Sequence, residues 1–244
     1  MLKRGELIIV KQTLRLFALL AACAFATPAS AGWTGCFLGA HGGLAASNLN
    51  TDLTVVPALG PVPAGTSLLN IDGLSATGGM YGVHVGCDYQ MNKFVLGIFG
   101  DYSWYDADFN ISSPALGPFL PGGPSILNTG LDTSWSIGGR AGYLATKTTL
   151  IYGLVAWSQL EMKPITVLSG LASLPLGSTD GIAVGGGIET EIMPNIRLKL
   201  EYRYTMYDKI TAPVIPTLLN LDIDPDVHTV RLGLSYAFTL GASD

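Results

Sequence analysis

Alternation with period two, recurring along the chain between connections of two contrasting lengths, constrains this sequence more than any single motif. In residues 196–207, IRLKLEYRYTMY, one parity carries Leu198, Leu200, Tyr202, Tyr204 and Met206, and the other carries Arg197, Lys199, Glu201, Arg203 and Thr205. A strand sends these two sets to opposite faces, whereas a helix would scatter the charges around its circumference. Residues 227–238 repeat the pattern, with Val230, Leu232, Leu234, Tyr236 and Phe238 on one face and Thr229, Arg231, Gly233 and Ser235 on the other. Similar segments fall at 33–46, 78–90, 94–106, 131–144, 149–163 and 180–192, which makes eight strands.

The connections near Asn92-Lys93, Thr146-Lys147 and Pro194-Asn195 are tight, whereas those at 47–77, 107–130, 164–179 and 208–226 are long, and the two kinds alternate strictly. An even number of strands of about ten residues, with short turns at one end and long loops at the other, predicts an all-β, eight-stranded antiparallel transmembrane barrel with periplasmic turns and four extracellular loops. Closure is what permits it to cross lipid, because only a helix or a closed barrel satisfies every backbone N–H and C=O there. A helical membrane protein is excluded, since no apolar run after the first thirty or so residues approaches the roughly 18 that a spanning helix needs. With 48% hydrophobic and 13% charged residues, the chain is also too apolar and too weakly charged for disorder.

Parity assigns the faces. Phe94, Leu96, Ile98, Tyr102 and Trp104 turn to lipid, leaving Gly97, Asp101 and Ser103 inside. On the next strand Trp135, Ile137, Ala141 and Tyr143 face out and Ser134, Ser136 and Arg140 face in, and on the sixth Ile182, Val184 and Ile188 face out and Glu189 in. The fifth strand, LIYGLVAWSQLEM, carries apolar residues at both parities and its facing stays open. Trp33, Tyr89, Tyr143, Tyr207 and Tyr236 lie near strand ends and are expected in the interfacial girdles. The long loops are rich in Pro, Leu, Gly and Ala: Pro57-Ala58-Leu59-Gly60-Pro61 recurs as Pro114-Ala115-Leu116-Gly117-Pro118. Such a cap either meets a partner, as large exposed apolar patches do, or is low-complexity loop sequence with no specific role.

The N-terminus carries Lys3, Arg4, Lys11 and Arg15, then LFALLAACAFA, then Pro28-Ala29-Ser30-Ala31. This reads as a secretory signal peptide over residues 1–31, cleaved before Gly32, with the barrel domain over 32–244. Leu20-Ala21-Ala22-Cys23 also resembles a lipobox, but apolar sequence continues past Cys23 to the better-formed site. Cleavage removes 4 of the 13 basic residues and 1 of the 18 acidic ones, leaving 9 against 17 and a formal charge of −8. With no Lys/Arg cluster, a nucleic-acid partner is excluded.

Two cysteines remain after cleavage, Cys36 and Cys87. Export to an oxidising compartment, shared outward parity and adjacent strand ends point to a disulfide, and two thiols packed as small hydrophobes are the alternative. If they face each other, paired positions sum to 123 and His41 and His84 become diagonal neighbours on the inward face.

The stretches WTGCFLGAHGG (33–43), GGMYGVHVGCDYQ (78–90), FVLGIFGDYSW (94–104), IGGRAGY (137–143), GIAVGGGIETEIMPNIRLKLEYRY (181–204) and HTVRLGLSYAF (228–238) resemble the outer-membrane immunogenic protein family of alphaproteobacteria, related to the OmpA-type membrane domain. Together they cover nearly every strand. The resemblance implies a structural barrel and surface antigen of the outer membrane, porin-like by reputation, with haem binding credited to some relatives. Outer-membrane lipid, lipopolysaccharide and the barrel assembly machinery are the partners it implies. The chain departs from the family in running on through residues 239–244 after its last aromatic, Phe238.

Asp101, Arg140, Glu189, Arg197, Lys199, Glu201, Arg203 and Arg231 form the candidate lumen network. An eight-stranded barrel has room only for side chains inside, so these charges either pair into a plug or line a narrow pore for small solutes. Glu189 and Glu201 are expected to pair with some of Arg140, Arg203 and Arg231, because the sixth and seventh strands are adjacent. His41 and His84 offer two nitrogens to a metal or haem but no nearby third ligand. Asp222, Asp224, Asp226 and His228 alternate into the last strand and suit a hard divalent cation, though Pro225 interrupts them and no EF-hand glycine accompanies them. An omptin-like protease would have to draw on His228, Asp106, Asp108 and Asp180, whose spacing matches no catalytic motif, and no serine-nucleophile signature is present. The reading is therefore non-catalytic, with no cofactor.

Overall fold

The computed structural model describes residues 27–28, 32–55, 63, 67–112, 125–167, 172–174, 177–215 and 219–239. The leader expected at 1–31 and the Pro/Leu motifs at 57–61 and 114–118 fall almost wholly outside them. Eight long strands build the wall: β1 Gly35–Val55, β2 Ser67–Met91, β3 Phe94–Ser112, β4 Ser125–Leu144, β5 Thr149–Met162, β6 Ser178–Met193, β7 Ile196–Tyr207 and β8 Leu219–Thr239. Each pairs antiparallel with its sequence neighbours, and β8 pairs with β1 from Phe238↔Cys36 to Leu219↔Val55, which closes the barrel. Closure leaves no edge among these strands, the condition for burying a sheet in lipid.

The tight connections form where they were expected. Met91 and Phe94 are joined through Asn92-Lys93, and Met193 and Ile196 through Pro194-Asn195; Asn92 and Asn195 take φ of 57° and 66°. Asparagine tolerates this left-handed region better than other residues with a Cβ.

At the opposite end the long connections are shorter than the sequence suggested, because the ladders run on. β1 and β2 remain paired from Ser47↔Ala76 to Thr54↔Ser67, and β3 and β4 from Ala107↔Leu131 to Ser112↔Ser125. A short strand, Ile210–Ile215, continues β7 against β8, and Ile165–Val167 pairs with both β4 and Ala172–Leu174. The sequence hid this for a physical reason. Period two with an apolar outer parity is a signature of lipid contact, and pairing needs only backbone. From Asn48 onward the even positions of β1, apolar at Leu38 and Leu44, become Asn48, Asn50, Asp52 and Thr54.

Burial settles the faces. Ile98, Leu96, Phe94, Ile137, Ile182, Ile188, Leu200, Leu232 and Leu234 are exposed on the outer face, whereas Asp101, Ser103, Ser134, Ser136, Arg140 and Glu189 are buried inside. The facing of β5 is now fixed: Leu150, Tyr152, Leu154, Ala156, Ser158, Leu160 and Met162 point in, and Ile151, Val155 and Trp157 point out. Two aromatic bands ring the outer face. Tyr89, Phe94, Tyr143 and Tyr236 lie at the short-turn end, with Phe94 and Tyr143 edge to face at 5.6 Å. Tyr81, Tyr102, Trp104, Trp135 and Trp157 lie at the other, where Tyr81 stacks on Trp104 at 5.5 Å and Trp135 meets Trp157 at 4.7 Å. Trp33 and Tyr207 do not join these bands. Both are buried inside, where the Trp33 indole N–H donates to Lys147 O and the Tyr207 hydroxyl shares a hydrogen bond with Ser158 Oγ. Tyr207 has the inward parity of Arg203 and Thr205, and Trp33 precedes β1 and folds under the barrel mouth.

Cys36 sits opposite Cys87 and the two form a disulfide across β1 and β2. It closes a separation of 51 residues, worth about 4 kcal/mol on chain-entropy grounds as an upper figure. Thiol titration of denatured, unreduced mature protein is expected to find no free thiol. Replacing both cysteines by serine is expected to lower the free energy of unfolding measured in urea by no more than about 4 kcal/mol.

Candidate functional site in the barrel lumen

The lumen is filled in layers. At the short-turn mouth, the Trp33 ring lies 4.2 Å from the Arg197 guanidinium, and the Trp33 amide donates to Gln90 Oε1 at 2.8 Å. Above it Arg140 reaches two carboxylates: Nε and Nη2 donate to Asp88 Oδ1 and Oδ2 at 2.9 and 2.6 Å, and Nη1 donates to Glu189 Oε2 at 2.7 Å. Arg197 Nη1 adds a 3.4 Å contact to Asp88 and lies 3.7 Å from Glu189 Oε1. The Arg140 guanidinium also sits over Phe37 at 4.5 Å and Tyr152 at 5.1 Å. Planar, weakly hydrated guanidinium suits this double use, since it stacks on a ring while its edge holds a carboxylate.

A second layer follows. Asp101 accepts from Arg203 Nη1 at 2.7 Å and from Arg231 Nη1 at 2.9 Å, while Arg203 Nε donates to Glu201 Oε1 at 2.7 Å. Tyr152 donates to the other Glu201 oxygen at 2.7 Å. Buried charge is tolerable only when it is paired and hydrogen-bonded, and each of the four lumen carboxylates, Asp88, Asp101, Glu189 and Glu201, meets an arginine within 2.9 Å.

His41 and His84 meet in the same region, Nδ1 to Nδ1 at 3.3 Å, with His41 Nε2 bonded to Ser103 Oγ at 3.0 Å and His84 Nε2 to Ser235 Oγ at 2.8 Å. One proton between the facing nitrogens completes a chain from hydroxyl to hydroxyl through two neutral rings, and doubly protonated rings would set two N–H groups against each other. All four ring nitrogens are thus engaged without a metal. Nearer the long-loop end the charges give way to uncharged inward residues, with Ala45, Met80, Ala107, Leu131, Leu160 and Val227 buried beside Ser47, Thr129 and Thr205.

Glycine makes the space. Gly187 faces Tyr152, Gly185 faces Arg203, Gly233 faces Lys199 and Gly82 faces His41, each as the direct cross-strand partner. A Cβ on Gly187 would lie 2.8 Å from the Tyr152 hydroxyl and 2.6 Å from Leu200 O, and one on Gly82 would lie 2.6 Å from His41 Nε2.

All eight network residues read from the sequence are buried in the lumen, and Lys199 is the one lumen cation with no carboxylate within 4.0 Å among the described residues. Two partners were missed. Asp88 was legible, since it shares inward parity with His84 four residues earlier; Tyr152 was not, because both parities of β5 are apolar. The acidic run behaves differently. Asp224 lies 3.4 Å from Lys209 Nζ, with both side chains about half exposed (47% and 48%). His228 stacks on Tyr204 at 4.7 Å and shares a 2.8 Å hydrogen bond with the Tyr202 hydroxyl, on the outer face. The side chain of Asp222 lies outside the described residues, and Asp226 pairs across the strand with Met206 and Asn48. Among the described residues no three His, Cys, Asp or Glu side chains gather around a cation position. Nor do the protease pieces converge: Asp108 pairs with Lys163 at 2.7 Å and Asp180 accepts from Gln159 at 2.9 Å, each apart from His228.

With a closed eight-stranded wall, an apolar outer face and a polar interior in place, residues 16–238 match the outer membrane protein beta-barrel domain. The chain belongs to that family. No curated protein sequence matches it. Among solved structures it is similar to the outer membrane protein OprG from Pseudomonas aeruginosa, with 13% identity and a TM-score of 0.50 over 85% of this chain and 99% of that one. It is also similar to the outer membrane protein AlkL in lipid bilayers, with 14% identity and a TM-score of 0.51 over 90% and 98%. The outer membrane protease OmpT from Escherichia coli matches at 10% identity and a TM-score of 0.39 over 83% and 97%. At these identities the likeness is one of fold. This outer membrane barrel is thus set in a Gram-negative outer membrane, with its tight turns periplasmic. The matches are to barrels as a class and do not single out the alphaproteobacterial branch.

Two substitutions in the lumen and one at an exposed ion pair test this packing. Asp101→Ala leaves Arg231 without an ion pair and is expected to cost about 3–5 kcal/mol, read as a shift in urea unfolding from lipid vesicles. Lys163→Ala, at the exposed pair with Asp108, is expected to cost under about 1 kcal/mol in the same assay. Gly187→Ala forces Tyr152 off Glu201 and is expected to cost about 1–3 kcal/mol.

Proposed function

We propose that this protein is a structural surface barrel of the outer membrane with a sealed lumen and no catalytic role. The carrying observation is the filling of the interior. Between Phe37, His84, Phe99, Arg140, Lys199, Glu201 and Arg203 the void amounts to about 10 Å³, at the limit of what holds one water. Salt-bridged layers stand above Trp33 at the periplasmic mouth, and an uncharged layer around Met80, Leu131, Val227, Ser47 and Thr205 lies beyond them. A solute crossing would have to break arginine–carboxylate pairs inside a space that eight strands cannot widen.

The absence of catalysis in this reading is supported by where the candidate groups lie: His228, Asp108 and Asp180 are each engaged with a different neighbour. The reading requires no cofactor. Lipid and lipopolysaccharide are its partners along the aromatic-banded wall, the barrel assembly machinery inserts it, and residues 1–31 serve as a leader removed before Gly32.

Planar-bilayer recording of folded protein decides between a plug and a small-solute channel. The native barrel is expected to show no stable unitary conductance, and such conductance would overturn the proposal. Trp33→Ala removes only the stopper at the mouth and is expected to stay closed, because the paired layers behind it remain.

A further inference from the structure

We propose that the extracellular rim binds an extended, cationic peptide strand of another protein, in a cleft between β2 and β3. The closure that leaves no edge holds across the membrane and ends above it. β2 and β3 pair from Met91↔Phe94 up to Gly79↔Asp106, just past the Tyr81↔Trp104 pair of the upper aromatic band. Beyond that level β2 stays paired with β1 as far as Ser67, and β3 with β4 as far as Ser112, but among the described residues the two do not pair with each other. A bulge marks the parting. Trp104 stands opposite Thr133 and Ala107 opposite Leu131, so two residues of β3 span one of β4. Bulges at barrel rims bend a strand and end its pairing. At the foot of the cleft the strands are still adjacent, since a Cβ on Gly78 would lie 2.6 Å from that of Ala107. In an antiparallel ladder every second residue turns its N–H and C=O away from the strand it is paired with. Along residues 67–78 of β2 and 107–112 of β3 those groups have only solvent to meet among the described residues, and such an edge is a template for a further strand.

Composition argues against the neighbouring connections as that strand. The segment 56–66 between β1 and β2 carries Pro57, Pro61 and Pro63, and the segment 113–124 between β3 and β4 carries Pro114, Pro118, Pro121 and Pro124. Proline has no N–H to give a ladder, so neither segment suits a place between two strands. Charge then selects the partner. Residues 67–78 and 107–112 contain Asp72 and Asp108 but no Lys, Arg or His. Asp106 at the foot of the cleft, Asp132 on β4 and Glu161 on β5 are exposed, and none has a salt bridge among the described residues. The lysines of the rim, Lys163 and Lys209, are taken by Asp108 and Asp224. Opposite charges across a strand pair attract and like charges repel. A lysine- or arginine-bearing strand is therefore favoured, and a second copy of this chain, which brings the same acidic edges, is not.

The cleft lies outside the lumen, so a conducting barrel would leave it untouched. To test it, the mature protein is folded into phosphatidylcholine nanodiscs and amide exchange is followed by NMR. In the free protein, alternate amides of residues 67–78 and 107–112 are expected to exchange far faster than those of the ladder from Tyr81 to Tyr89. The probe is a blocked peptide of alternating lysine and valine, about six residues long to match the open β3 edge. It is expected to protect those same amides saturably, and less so at high salt. The same peptide N-methylated at every valine keeps its charge but loses the donors of one edge, and is expected to bind about tenfold more weakly or worse. An alternating glutamate and valine peptide is expected to protect nothing. Edge amides already protected in the dilute free protein would mean that its own chain fills the cleft, and protection that rises with protein concentration alone would put a second copy there; either overturns the proposal. So does a lysine peptide that protects no amide or only amides elsewhere, and so does an N-methylated or glutamate peptide that protects equally well.

Discussion

The width of an eight-stranded barrel governs this structure. Its interior has room for side chains and little else, so every inward residue is chosen against those across from it. This explains why a chain with 31 glycines forms a rigid wall. Glycine stands opposite the largest inward groups, at Gly187 against Tyr152, Gly185 against Arg203 and Gly233 against Lys199. Each cross-strand pair thus contributes one bulky side chain rather than two. The same narrowness forbids free charge, because no bulk water reaches the carboxylates, and it forces them into arginine forks.

Those forks brace the barrel across its diameter. Backbone ladders join only neighbouring strands, whereas Arg140 links β4 to Asp88 on β2 and to Glu189 on β6. Asp101 on β3 reaches Arg203 on β7 and Arg231 on β8, His41 on β1 reaches Ser103 on β3, and Tyr152 on β5 reaches Glu201 on β7. Every strand of the wall is therefore tied to one that is not its neighbour. Such a network is a poor source of net stability compared with a hydrophobic core, but its geometry is specific, and a strand slipped by one residue would turn its charges into lipid.

The wall meets two solvents, and the sequence changes character where they change. Within the membrane the outer face is apolar and bounded by aromatic bands, where Trp135 still finds a polar partner in Gln159 at 3.0 Å. Past that band Asn48, Asp108, Lys163 and Lys209 take the outer positions, yet the strands remain paired. The extracellular part of the molecule is accordingly a continuation of the barrel wall as well as the seat of the loops.

Local sequence determined the number of strands, their alternation of tight and long connections, the facing of seven of them, and the register of β1 on β2 through Cys36 and Cys87. Each of these follows from a period of two and a sharp difference between lipid and lumen, which leave their mark residue by residue. The facing of β5 escaped because its lumen side packs Leu150, Leu154, Ala156 and Leu160 among aromatic rings, so both faces read as apolar. Strand lengths beyond the membrane escaped because backbone pairing in water needs no apolar parity. Only the tertiary structure decided which arginine holds which carboxylate, that Asp88 and Tyr152 belong to the network, that Trp33 packs on Arg197 at the mouth, and that Lys199 has no carboxylate within 4.0 Å among the described residues. Those contacts join residues dozens to more than a hundred positions apart, and strand tilt and side-chain reach within a closed barrel choose among partners that share one inward parity.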